Sequence, residues 1–145
     1  MGDKTAANSK IRVLLVEDSR TDAFLLVDTL GKFGGKEFEL IQATDLDLAL
    51  IRIQEEQIDV VLLDLSLPLF LGLEPLEQIH KMKPDLPVIV LSGYNDPELA
   101  TEAMRKGAKN FFVKGHFDGE ALVKMLRSAV GRETSPAEPQ TSGKL

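Results

Sequence analysis

Residues 58–64 of the chain read IDVVLLD, a run of apolar and mostly branched side chains that ends in a carboxylate. A strand that is buried on both faces of a sheet has such a continuous apolar sequence, because helices cover the sheet on each side. We therefore predict a central strand over Ile58–Leu63, with Asp64 just beyond its carboxyl end. A carboxylate at the buried end of a central strand is rare in a protein core, which makes Asp64 the first candidate for a functional role.

Four other apolar runs flank this strand, and segments with helical spacing separate them. The other strands are predicted at 11–16, 38–43, 88–91 and 111–113, and the helices at 23–33, 46–53, 73–79, 97–104 and 122–129. Buried strands that alternate with helices predict an α/β fold, in which a parallel sheet is covered by helices on both faces. Right-handed crossovers then bring ligands to the carboxyl ends of the strands.

Several helix boundaries are marked by residues that favour caps. Thr44 or Asp45 is predicted to cap the second helix, and Asp96 is predicted to cap the fourth. Glu17 and Asp18 could serve in the same way at the first helix, where the helix dipole favours negative charge. Under that interpretation these two acids have a structural role and no chemistry.

Length and composition indicate a single soluble domain. The chain has 145 residues, a formal net charge of -6 and no cysteine, so disulfide scaffolds, thiolate metal sites and thiol nucleophiles are excluded. The acidic balance argues against a nucleic-acid surface, and no apolar run approaches the roughly 18 to 20 residues that span a bilayer. We expect a cytoplasmic domain over residues 10–131, with a flexible N-terminus at 1–9 and a flexible tail or truncated linker at 132–145.

Polar side chains follow four of the five predicted strands. They are Glu17 and Asp18 after the first strand, Asp64 after the third, Ser92 after the fourth and Lys114 after the fifth. Three carboxylates at one edge of a sheet repel one another unless a cation lies among them, and oxygen ligands are those that Mg²⁺ prefers. A lysine and a hydroxyl supply positive charge and a hydrogen-bond donor for phosphoryl oxygens. The set therefore predicts phosphoryl transfer to a carboxylate, assisted by Mg²⁺.

Each of these residues also has a purely structural interpretation. Asp64 could be a turn former, Ser92 a loop hydroxyl and Lys114 a solvated strand end. Their placement at the carboxyl ends of different strands, as one chemically related set, favours a shared site over separate structural roles.

Four motifs carry a resemblance to a known family. They are LVEDS at 15–19, LLDLSLP at 62–68 with Gly72, VLSG at 90–93 and FFVK at 111–114. In their order and spacing they resemble the receiver domains of response regulators, the phosphoacceptor proteins of two-component signal transduction. The resemblance covers about Lys10–Gly131 and implies a flavodoxin-like, doubly wound sheet of five parallel strands in the order 2-1-3-4-5, with five helices.

The resemblance implies roles for particular residues. Asp64 would be phosphorylated by a histidine kinase or a histidine phosphotransfer protein, in a site that holds Mg²⁺. Lys114 would pair with Asp64 or with its phosphate. The metal ligands would be the carboxylates of Glu17, Asp18 and Asp64 and the backbone carbonyl of Ser66.

Other implied roles concern the switch and the lifetime of the phosphoryl group. Ser92 would hydrogen-bond the attached phosphoryl group, and Phe111 stands where the family carries an aromatic residue that turns inward on activation. Phe111 could also be an ordinary half-buried strand residue. Ser66 and Tyr94 occupy positions that modulate phosphoryl lifetime by controlling the attacking water.

The resemblance further implies a regulatory domain that assists only its own phosphorylation and dephosphorylation and is otherwise not an enzyme. Phosphorylation would reshape the face formed by the fourth and fifth strands and their helices. That face would act on a downstream protein or a covalently linked output domain, and the surface of helix 4, strand 5 and helix 5 could form a homodimer. This domain is expected to bind neither nucleic acid nor membrane.

One departure from the family pattern keeps a second function open. Gly115 follows Lys114 where the family usually has proline, so a receiver-like protein that binds partners without phosphorylation is an alternative. An aspartyl-phosphate phosphatase would need a second acid two residues after Asp64, where this chain has Ser66. The chain also lacks the glycine-rich phosphate loops of nucleotide-binding α/β proteins.

Overall fold

The structure is a computed structural model that describes residues 10–65, 72–93, 95–114 and 118–132. Within these ranges, five strands alternate with five α-helices, as the sequence predicts. The strands are β1 (Ile11–Val16), β2 (Phe38–Ala43), β3 (Val60–Asp64), β4 (Val88–Ser92) and β5 (Asn110–Val113). The helices are α1 (Arg20–Gly34), α2 (Leu46–Glu55), α3 (Glu74–Met82), α4 (Pro97–Arg105) and α5 (Gly119–Ala129), and a short 3-10 helix at Gly35–Glu37 joins α1 to β2.

The strands form one parallel sheet in the order β2-β1-β3-β4-β5, which confirms the predicted doubly wound topology. The strand order reverses between β1 and β3, where this type of sheet opens a crevice at the carboxyl ends of its strands. The register pairs Val16 with Leu63 and Asp64 with Leu91, and it pairs Ser92 with Val113. The residues at the ends of β1, β3, β4 and β5 therefore lie along one edge of the sheet.

The core has two layers, one on each face of the sheet. On one face, side chains of α2, α3 and α4 pack against Leu14, Val16, Val61, Leu63 and Val90. On the other face, side chains of α1 and α5 pack against Val13, Leu15, Leu62, Ile89 and Leu91. Every residue of β3 and β4 is buried, because successive side chains enter opposite layers. This arrangement explains the continuous apolar runs from which the strands were predicted.

The helix caps confirm two predictions and decide an interpretation that the sequence left open. Asp45 and Asp96 accept the N–H groups that begin α2 and α4, so Asp45 rather than Thr44 is the cap of α2. Neither Glu17 nor Asp18 is the N-cap residue of α1, because Ser19 has that position and its Oγ accepts the backbone N–H of Asp22 at 3.2 Å. Extended backbone at Ser19 places its hydroxyl over the first helical turn.

The prediction that the central strand begins at Ile58 is also wrong, since β3 begins at Val60. Asp59 does not pair as a strand residue. Its carboxylate accepts the backbone N–H of Arg12 at 2.8 Å, and its own N–H donates to the carbonyl of Arg12. Asp59 thus binds both the backbone N–H and the carbonyl of Arg12. Regular pairing of β1 with β3 starts one residue later, at Val13 and Val60.

Several predictions fall outside the described residues. They concern Ser66, Tyr94 and the flexible ends at 1–9 and beyond Arg132. These remain predictions. Among the residues that the structure describes, no helix is both long enough and apolar enough to cross a bilayer.

Candidate functional site

Asp64 is the last residue of β3, and its side chain is completely buried. The strand ladder holds the backbone on both sides of it, because Leu65 N–H donates to the carbonyl of Leu91 at 3.0 Å. The chain therefore cannot turn at Asp64 to release the carboxylate to solvent. This excludes the interpretation of Asp64 as a turn former and places a carboxylate at the predicted edge of the sheet.

Lys114, directly after β5, brings its ammonium group to this carboxylate. Its Nζ donates to Asp64 Oδ2 at 3.1 Å, to Glu17 Oε1 at 3.3 Å and to Asp22 Oδ2 at 2.6 Å. The side chain is only 20 % exposed, so it is not the solvated strand end of the alternative interpretation. Three acids from distant parts of the chain thus meet at one lysine.

Glu17 lies at the end of β1 and is buried, with 3 % of its surface exposed. Its N–H donates to the carbonyl of Ala43, and its Oε2 accepts the backbone N–H of Ser19 at 3.2 Å. The pKa of Glu17 is raised to about 8, first by burial and then by a hydrogen bond with Asp64 and repulsion from the charge of Asp64. Attraction to Lys114 and the Ser19 hydrogen bond lower this pKa and only partly offset the rise.

The pKa of Lys114 is raised as well, but for a lysine a raised pKa favours the charged form. Burial by itself would lower the pKa of Lys114, but hydrogen bonds to Asp22 and Asp64 and attraction to the carboxylates raise it above its ordinary value. The ammonium therefore stays charged at neutral pH. One positive charge faces three acids, which leaves this part of the structure with an excess of carboxylate oxygen.

Asp22 is the member of this group that the sequence pattern did not predict. Only residues at strand ends were expected to take part, whereas Asp22 lies in the first turn of α1. One oxygen each of Glu17, Asp22 and Asp64 lie within 4.8 Å of one another, a spacing at which they could hold a metal ion. The sequence offered no specific signal for it, because an acid in the first turn of a helix is common wherever it complements the helix dipole.

The other predicted residues lie around this group. Asp18 is exposed and is not among the three acids of the cluster. Ser92 is buried at the end of β4, one strand away from Asp64 in the sheet. Phe111 is half-buried in β5 and packs against the core layer that contains α4, which agrees with either interpretation of this residue. Ser66 and Tyr94 are outside the described residues.

The arrangement suits the binding of a hard divalent cation beside a buried carboxylate. The donors are all oxygen atoms and come close together without a complete protein cage, and the raised pKa of Glu17 reflects the cost of burying an acid beside Asp64. A group with these properties can also be the acceptor of a phosphoryl group, whose negative oxygens would lie next to the Lys114 ammonium.

Comparison with known proteins agrees with this geometry. Residues 13–127 match the sequence profile of the response regulator receiver domain. The chain is 36% identical over 123 residues to the C4-dicarboxylate transport transcriptional regulatory protein DctD of Pseudomonas aeruginosa, covering 85% of this chain and 26% of that protein. It is 32% identical over 104 residues to the chemotaxis protein CheY of Thermotoga maritima, covering 71% of this chain and 84% of that protein.

Solved structures show the same fold. The receiver domain of NtrX from Brucella abortus superposes with a TM-score of 0.72 and 32% identity, covering 81% of this chain and 97% of that chain. Among the curated relatives, the chain spans about a quarter of the length of DctD and of the Pseudomonas aeruginosa response regulator protein FleR.

Proposed function

Because this chain belongs to the response regulator receiver domain family, we propose that Asp64 accepts a phosphoryl group from a histidine kinase or a histidine phosphotransfer protein. One observation carries the proposal: the buried Asp64 carboxylate lies 3.1 Å from the Lys114 ammonium at the carboxyl edge of the sheet. The family is a regulatory one, and phosphorylation-dependent signalling follows from membership. The particular donor, the metal and the switch are parts of this proposal.

Mg²⁺ is the proposed metal, with ligands from Glu17, Asp18, Asp64 and the backbone carbonyl of Ser66. Two of these carboxylates already lie close together at the buried edge, and their oxygen chemistry fits this ion. When bound, Mg²⁺ supplies positive charge for the oxygens of the transferred group. Asp22 is a further candidate ligand because its oxygen lies in the same cluster.

The residues of the chain contribute the remaining chemistry. An Asp64 oxygen would form the new bond to phosphorus as the nitrogen–phosphorus bond of the donor breaks. Lys114 would stay protonated and offset the charge of the phosphoryl oxygens, and the Ser92 hydroxyl would donate to one of them. Ser66 and Tyr94 would control the water that later hydrolyses the group. This regulatory cycle requires no other enzymatic activity of the domain.

The proposed output follows from a change at the β4–β5 side of the sheet. Ser92 would move toward the phosphoryl group and Phe111 would turn inward, which would reshape the face of α4, β5 and α5. That face would bind a downstream protein or a covalently linked output domain, or a second copy of this chain as a homodimer. No binding of nucleic acid or membrane by this domain is proposed, and a cytoplasmic location remains a prediction.

Incubation with acetyl phosphate and Mg²⁺ tests the phosphoacceptor role. We expect intact-mass measurement to show the addition of one phosphoryl group to the wild-type protein and none to Asp64→Asn. Asp59→Asn is a matched control, since Asp59 is bound to Arg12 away from the site and should leave phosphorylation intact. Equal labelling of wild type and Asp64→Asn would overturn the proposal.

A receiver-like module that binds partners without phosphorylation is the second candidate. The glycine at position 115, where the family usually has proline, favours it. Titration with Mg²⁺ separates the two, because the first proposal requires chemical-shift changes at Asp64 and the second requires none.

A further inference from the structure

Asp22 reaches the site from the first turn of α1 and not from a strand end. Its Oδ2 accepts a hydrogen bond from Lys114 Nζ at 2.6 Å, whereas the contacts of the same ammonium with Asp64 and Glu17 are 3.1 and 3.3 Å. Charge-assisted hydrogen bonds of this length are the strong ones. Asp22 therefore shares the Lys114 ammonium with Asp64 and makes the shorter contact with it.

The start of α1 does not need the Asp22 side chain. In a capping box, an acidic residue at the third helical position turns back to accept the backbone N–H of the N-cap residue. Here the N–H of Ser19 donates to Glu17 Oε2 at 3.2 Å, while Ser19 Oγ accepts the N–H of Asp22. Because Glu17 has taken the usual place of the capping acid, the Asp22 carboxylate is available to Lys114.

The surroundings of Lys114 make this contact specific. A cavity of about 150 Å³ beside it is lined by Asp22, Leu25, Leu26 and Lys114 itself. Leucine side chains offer no hydrogen-bond acceptor, so among the described residues of this wall Asp22 is the one that can hold the ammonium. A lysine drawn toward a phosphoryl group on Asp64 would therefore leave the carboxylate that holds it in the unphosphorylated protein.

We propose that Asp22 is a positioning residue that retains the Lys114 ammonium in the unphosphorylated protein and thereby opposes phosphorylation of Asp64. This inference rests on the phosphoacceptor role proposed above. Asp22 acts through Lys114, so its effect must disappear when the lysine is removed. If Asp22 instead slowed phosphorylation by repelling the incoming phosphoryl oxygens directly, its effect on the rate would persist without the lysine. The effect of Asp22 in the absence of Lys114 therefore distinguishes the two causes.

The first experiment compares phosphorylation rates at saturating Mg²⁺ with acetyl phosphate, followed by intact mass. We expect Asp22→Asn to be phosphorylated roughly two- to fivefold faster than wild type, the range of a partly exposed ion pair. Asp22→Glu keeps the charge at this position and should therefore be phosphorylated more slowly than Asp22→Asn. Asp28→Asn removes the same charge from the exposed face of α1, where Asp28 pairs with Lys32 at 3.2 Å, and should leave the rate unchanged.

The second experiment repeats the comparison in the Lys114→Met background, with incubations long enough to quantify slow variants. We expect Asp22→Asn to have no effect there. An unchanged rate for Asp22→Asn alone would overturn the inference, and so would an acceleration that persists without Lys114. If the wild-type protein and Asp64→Asn are labelled equally, the phosphoacceptor role itself fails and the inference fails with it.

Discussion

The titration of Glu17 makes the stability of the metal-free protein depend on pH. The pKa of Glu17 rises from 4.5 to about 8 on folding, first because the side chain is buried and then because of Asp64 beside it. Between these values the folded protein holds a proton that the unfolded chain has released. The free energy of unfolding therefore falls as the pH rises through this range.

We expect Glu17→Gln to remove this pH dependence, because glutamine does not titrate. From about pH 5 to about pH 8, wild type should lose on the order of 3 kcal/mol of stability relative to the variant. Urea unfolding with a chelator present measures the difference. The exposed Glu55 of α2 offers a control, since Glu55→Gln should follow the wild-type pH dependence. Parallel curves for wild type and Glu17→Gln would contradict the raised pKa assigned to Glu17.

The packing of α1 against α5 brings Asp22, which lies in α1, close to Lys114, which precedes α5. Gly119 begins α5, and a Cβ atom there would overlap the Phe33 ring and the Thr29 side chain of α1. Arg127 of α5 also binds Glu37, just beyond α1, through two nitrogen atoms at 2.7 to 3.0 Å. Lys114 precedes α5 in the chain and contacts α1, so this close packing supports the contact between them.

Two glycine-to-alanine substitutions should have opposite effects on stability. Gly119→Ala should destabilise the protein by about 1 kcal/mol, because the Phe33 ring and the Thr29 side chain must shift to admit the methyl group. Gly31→Ala should stabilise it by about 0.5 to 1 kcal/mol, since Gly31 lies within α1 with no atom near its added Cβ and alanine favours helix. Urea unfolding of both variants measures these changes, and a neutral Gly119→Ala would contradict the close packing.

For the protein as a whole, the site stores unfavourable electrostatic energy. The cluster combines carboxylates that are 50 to 97 residues away from Lys114 in the chain, and two of them are buried. Unfolding separates these charges, so their repulsion lowers the stability of the metal-free protein. A cation that binds only the folded protein reverses this effect.

We expect Mg²⁺ to raise the thermal midpoint of the wild-type protein and to have little effect on Asp64→Asn. At a Mg²⁺ concentration ten times its Kd, the gain is about 1.4 kcal/mol. Without metal, Asp64→Asn should be the more stable of the two, because one buried negative charge is gone. Thermal unfolding in Mg²⁺ and in NaCl of matched ionic strength measures both differences. Equal shifts in the two proteins would place the ion elsewhere.

Most of the fold could be predicted because its pattern is local. Buried parallel strands have continuous apolar sequences, and N-cap residues such as Asp96 mark where helices begin. Each element can therefore be recognised from a short segment of sequence. The start of β3 was placed two residues early because the bond between Asp59 and Arg12 joins distant segments. Pattern and spacing within one segment carry no information about such a bond.

The sequence by itself determined the strand ends, and with them Glu17, Asp64 and Lys114 as members of one group. Tertiary structure alone decided which acids reach the lysine. Successive residues of an extended chain point in opposite directions, so Glu17 turns inward while Asp18 beside it is exposed. Asp22 joins the group because α1 packs beside α5, next to Lys114, and this depends on how two helices dock rather than on the sequence of either.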